Sequence, residues 1–174
     1  MTTLCENFAC TFHEAGGGSQ NHIMLGGWDA WLLSSVGGLD SSVNGSTGGW
    51  KDIVVRVSPA VMPMLQRASY TKTTRFGDVT LSWTFADGKL TMDLALPVGT
   101  TATVHTPTAV AGATLREVRE TSSGTADSAP LWGSGRMGAP PAGVRGLELV
   151  ADAVVTTVGG GLGDGGRYRF EARY

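Results

Sequence analysis

The residues most able to do chemistry crowd the N-terminal end of this 174-residue chain. Glu6, His13, Glu14, Asn21 and His22 fall within its opening stretch, with Cys5 and Cys10 among them. Carboxylates with two histidines can hold a metal, but this spacing fits no established ligand pattern. The plain reading is a local charge cluster, and no metal or cofactor is expected. The cysteines are not in CxxC spacing and read as free thiols. No GxSxG elbow or phosphate loop occurs. The GGGSQNH stretch follows no strand, so it is a poor nucleotide loop, and GGGLGDGG at 159–166 reads as a flexible hairpin turn. His105 sits mid-strand among threonines, where a structural role is the default. Trp50, Trp83 and Trp132 could stack on sugar rings. Trp83 is in phase with apolar neighbours and belongs to the core, whereas Trp132, in the loop LWGSGRM, is the best exposed candidate.

These residues need elements to position them. Leu25, Trp28, Trp31, Leu32 and Val36 keep helical spacing, so a helix of about four turns is expected over 21–36. Ser19 or Asn21 can cap its start, and Gly37-Gly38 ends it. Its apolar surface covers more than one side, so it expects neighbours on both. A second protein chain, or self-association through this helix, is therefore an expected partnership.

Beyond Gly38 the texture turns to strands. A polar connection, 39–49, leads into 50–57, which reads as a strand, and 68–75 is a threonine-rich strand candidate. Val79, Leu81, Trp83 and Phe85 alternate with polar residues, Asp87-Gly88 marks a turn, and Leu90, Met92, Leu94 and Leu96 alternate back. That is a hairpin with one buried face. Residues 100–106 read as a third strand, giving a meander. The stretch 114–120 could be strand or loop, and 122–141, rich in Gly, Ser, Ala and Pro, reads as a long excursion. Strands return at 146–150, 153–158 and 166–170.

The fold expected is mainly β. An antiparallel sandwich of about eight strands is preceded by one or two short α-helical segments. The division is a helical segment, 1–38, and a sandwich, 39–174, with a loop excursion at about 111–146. The chain can bury a real core without disulfides. Net charge is −2, against a nucleic-acid or anionic-membrane partner. No apolar run is long enough to span a bilayer, and the first ten residues lack the features of a secretory signal.

Several stretches together resemble the inverting α-L-rhamnosidases. Residues 2–8, TTLCENF, resemble that family's TT-x-W-E-x-W, and 19–27, SQNHIMLGG, its S-x-N-H-x-M-F-G-S. Trp31 and 36–39, VGGL, match the continuation and exit of the same helix. WKDIVVRV at 50–57 is similar to F-K-K-I-V-I-R-P. ASY at 68–70, PVGTTATV at 97–104 and GGRYRF at 165–170 resemble later motifs in the same order. The chain departs from the pattern at Cys5 and Phe8, where tryptophan is usual, and at Leu25, where phenylalanine is.

The resemblance implies the end of an (α/α)6 barrel followed by a whole C-terminal β-sandwich. It implies that Glu6 holds the general-base position and that Asn21 and His22 contact the sugar. Inverting hydrolysis needs two carboxyl groups roughly 6.5–9.5 Å apart. The family's general acid lies on barrel segments with no counterpart in these residues. Three readings follow: a rhamnosidase C-terminal portion, inactive alone and structural or accessory; a non-catalytic carbohydrate- or protein-binding sandwich; or a glycosidase that completes its site with another chain.

Overall fold

The computed structural model describes residues 28–41, 49–121, 130–141, 143–159 and 166–174. The chain divides into two compact units, residues 1–32 and 33–174. Of the first, the described part is the short helix α1 (Trp28–Trp31), where Trp28 and Trp31 meet edge to face, ring centroids 6.1 Å apart. The helix expected over 21–36 therefore lies partly outside the described residues. Its last turn, Leu32–Val36, is π-helical rather than α.

In the second unit the chain leaves that turn through Gly37 and Gly38. A Cβ on Gly37 would stand 2.7 Å from both the Leu33 carbonyl oxygen and the Tyr70 ring, so only glycine fits beneath the tyrosine. Gly38, at φ +80°, turns the backbone into the sheet. The strands follow: β1 (Leu39–Ser41), β2 (Asp52–Arg56), the helical turn α2 (Met62–Leu65), β3 (Arg67–Thr74), β4 (Gly77–Ala86), β5 (Lys89–Ala95) and β6 (Thr101–Pro107). Next come the short β7 (Ala109–Val110), β8 (Ala113–Thr114), β9 (Glu117–Glu120), β10 (Trp132–Gly133) and β11 (Arg136–Met137). Three longer strands close the chain, β12 (Val144–Val150), β13 (Ala153–Gly159) and β14 (Arg167–Arg173).

Two sheets form the sandwich. One has the order β1-β2-β6-β13-β12, the other β11-β10-β9-β14-β5-β4-β3, and β7 and β8 make a separate two-stranded ribbon. Among the described residues every pairing is antiparallel except β2 with β6. The β4–β5 hairpin forms as its alternation requires. Trp83 faces Met92, Leu81 faces Leu94 and Phe85 faces Leu90. Val79, Leu81, Trp83, Leu90, Met92, Leu94 and Leu96 are buried, and half-buried Phe85 packs on the same core. From the other sheet Ile53, Val55, Ala102, Val104, Val154 and Val158 meet them. Burying two inner faces against each other is what stabilises a sandwich.

Three connections differ from expectation. β6 does not extend the hairpin into a meander. After β5 the chain turns at 97–100, where Gly99 adopts φ +78° and the Thr100 hydroxyl donates to the Pro97 carbonyl at 2.7 Å. It then crosses to the opposite sheet, where β6 lies between β2 and β13. The place beside β5 is taken by β14. The glycine-rich 159–166 is not a hairpin turn, because β13 and β14 belong to different sheets; residues 160–165 lie outside the described ones. The excursion of 111–146 is not all loop either. Within it β9 pairs with β14, and the β10–β11 hairpin extends the same sheet.

Candidate functional site

Glu6, Asn21 and His22 lie outside the described residues, as do Cys5, Cys10, His13 and Glu14. Trp132 is described, and it is not the exposed loop tryptophan expected. It stands on β10 opposite Val118 and Met137, half-buried and packed against the core. The sequence signal that placed it in a loop was the Gly, Ser and Pro content around it, and strand pairing overrides that content. Trp83 is 1% exposed and belongs to the core, as expected.

The described polar groups that converge lie on the outer face of the five-stranded sheet. Parallel pairing of β2 with β6 sets Arg56 beside His105, and the pairings of β13 extend that row to Val155 and Glu148. The alternation of β2 turns Ile53 and Val55 inward, so Arg56 must face out. Arg56 Nη2 lies 3.4 Å from His105 Nδ1. A guanidinium only donates, so this contact makes Nδ1 the acceptor and leaves the ring proton on Nε2. Burial holds the imidazole pKa below its usual value, and the Arg56 charge acts the same way; Asp152 and Glu148 oppose them.

Two depressions adjoin this pair. One, about 480 Å³, is lined by Ser34, Ser35, Asp40, Ser41 and Ser58 together with Arg56 and His105. The other, about 130 Å³, is lined by Pro59, Thr108 and Asp152 with the same pair. Asp152 is placed by the tight turn between β12 and β13, where the Thr108 amide donates to its carbonyl at 2.8 Å. Sequence reading assigned His105 a structural role and missed this row, because a parallel partner 49 residues away leaves no local signal.

A larger cleft of about 910 Å³ lies on the seven-stranded sheet between the 86–89 and 133–136 turns, over Arg116 and Arg173. Beside it the outer face of that sheet is an ion-pair lattice. Lys89 Nζ is 2.7 Å from Glu171, and Arg169 lies 3.7 Å from Asp93. Among the described residues no group of three or more His, Cys, Asp or Glu could hold a metal ion. No described helix is long and apolar enough to cross a membrane.

With this geometry in hand, the relatives are informative. The family model of the bacterial α-L-rhamnosidase C-terminal domain matches residues 41–121. An α-L-rhamnosidase from Formosa agariphila is 33% identical over 84 residues, 48% of this chain and 8% of that protein. The solved α-L-rhamnosidase from Dictyoglumus thermophilum superposes on 99% of this chain with a TM-score of 0.67 and 24% identity. The Streptomyces avermitilis α-L-rhamnosidase, solved with L-rhamnose, covers 95% with a TM-score of 0.61 and 18% identity. The likeness to these two structures is one of fold. The chain spans 16% and 13% of their lengths.

Proposed function

We propose that this chain, which resembles the C-terminal part of bacterial α-L-rhamnosidases, serves as the non-catalytic sandwich of a rhamnosidase-type protein. The observation that carries the reading is where the family match falls. Residues 41–121 run from β1 through β9, entirely within the sandwich. Glu6, the general-base position by resemblance, and the sugar-contacting Asn21 and His22 precede that match. An inverting mechanism asks for a protonated carboxyl group opposite the base, and by resemblance that acid belongs to barrel segments without counterpart in these residues. The sandwich then acts as a buttress. The apolar residues of the helix expected over 21–36 dock on helices of a barrel, the partner their two-sided surface calls for. Exposure of Trp28, Trp31 and Leu32 at 65%, 50% and 41% supports that reading.

The test is an assay of the purified chain against an aryl α-L-rhamnoside, with Glu6→Gln as control. No turnover is expected from either protein. Hydrolysis by the chain that disappears in Glu6→Gln would overturn the proposal.

A further inference from the structure

We infer that the Arg56–His105 cleft on the outer face of the five-stranded sheet is a binding site for a sugar acid, whose carboxylate Arg56 takes and whose hydroxyls the serine-rich wall takes. The site is separate from the rhamnoside chemistry above and does not depend on it.

The first argument is electrostatic. Among the described residues, no carboxylate lies within ion-pair distance of Arg56. Among the described residues its guanidinium meets a neutral ring nitrogen at 3.4 Å, a weak use of a fork that carries five donors. On the outer face of the seven-stranded sheet, by contrast, Arg169 faces Asp93 and Glu171, and Arg119 pairs with Glu117. With one Nη2 turned to the ring, the rest of the Arg56 fork can take a carboxylate through two parallel N–H donors, the geometry in which arginine is strongest.

The second argument concerns the walls. Ser35, Ser41 and Ser58 bring hydroxyls that both donate and accept, and Asp40 brings an acceptor; one Asp40 oxygen already takes the Ser41 amide at 2.8 Å. Val54 and Pro59 supply modest apolar contact. A cleft of about 480 Å³ is within the range of small-molecule sites. Hydroxyl-lined walls suit a polyol better than an apolar acid. Asp40 in the wall and Asp152 in the adjoining depression disfavour a polyanion, so the ligand carries a single negative group.

The groups facing His105 are Arg56 from β2, Glu148 from β12 and Asp152 from the β12–β13 turn. A carboxylate held on the Arg56 fork offsets the arginine's influence on the ring and favours the imidazolium. Binding therefore tightens as pH falls toward the imidazole's own range.

The experiment uses the 174-residue chain, 15N-labelled, with the His105 imidazole assigned by difference from His105→Gln. Sodium glucuronate, sodium acetate and L-rhamnose are titrated in turn at constant ionic strength. Glucuronate should give a saturable shift of the His105 resonances and raise the pH at which they titrate, and both effects should be lost in Arg56→Gln. Rhamnose and acetate should bind at least about tenfold more weakly. Circular dichroism checks that Arg56→Gln, an outward-facing change, keeps the fold. No saturable shift with glucuronate, an equal response to acetate, or unchanged binding in Arg56→Gln would each overturn the inference.

Discussion

At the scale of single residues, His105 makes the sharpest claim. Burial and the neighbouring Arg56 hold its imidazole pKa below the usual 6.5. As pH falls, the unfolded chain takes up that proton first. The His105 contribution to stability is thus level above about 6.5 and declines below it, until the folded imidazole also protonates. Urea unfolding at about pH 8 and about pH 5 should show the wild type losing more stability than His105→Gln across that interval. Equal losses would mean that His105 is solvated like a free imidazole. Glu171 has the same sign in a more acidic window. The Lys89 hydrogen bond lowers its pKa, so its contribution is present at neutral pH and fades only below the usual 4.5.

The hairpin of β4 and β5 carries the core at the scale of elements. Trp83 is 1% exposed, and its indole N–H has no acceptor among the described residues. Trp83→Ala should cost about 3–5 kcal/mol in urea unfolding. Trp83→Phe should cost far less, since it keeps an aromatic ring and removes an unpaired donor. A loss below about 1 kcal/mol for Trp83→Ala would contradict the register.

The sheet crossings make a second prediction. Gly99 and Gly159 both have positive φ, +78° and +85°. A Cβ at Gly99 meets nothing within 4 Å, whereas one at Gly159 stands 2.5 Å from the Thr100 carbonyl oxygen. Gly99→Ala should cost about 1–2 kcal/mol, the price of left-handed backbone alone. Gly159→Ala should cost clearly more, because backbone must also move. Similar unfolding midpoints for the two variants would show that β6 and β13 are not closed as described.

What the sequence made legible follows the same division. Alternation plus Asp87-Gly88 specifies β4–β5, because a two-residue turn fixes the register locally. Sheet membership is another matter. β6 is apolar on alternate residues and would fit beside either β5 or β13. The choice is made by a parallel contact with β2 and by β14 arriving later to fill the place beside β5, both distant in sequence. β10 and β11 have two residues each and owe their existence to a neighbour, β9, rather than to propensity. For the same reason Trp132 reads as a loop residue and is found half-buried. The Arg56–His105 row depends wholly on that parallel register and leaves no mark in local sequence.

On the scale of the whole molecule, the open question is what covers α1. Fully burying a large apolar side chain is worth about 1.5–3 kcal/mol, and Trp28, Trp31 and Leu32 are already partly covered, so burying what remains supplies on the order of 2–5 kcal/mol to any partner. Association costs about 4–15 kcal/mol in lost freedom. The two ranges overlap, so these three side chains alone hold a second copy weakly and a larger helical surface firmly. The isolated chain should therefore associate in a concentration-dependent way. Size-exclusion chromatography with light scattering should show an apparent mass rising with concentration. Iodide should quench Trp28 and Trp31, assigned through single Trp→Phe variants, more slowly in the concentrated sample than in the dilute one. A constant monomer mass, with both tryptophans quenched as fast as free indole at every concentration, would show that this segment docks on no copy of itself. Partnership through residues 21–36 would then require a different surface, such as the helices of a barrel.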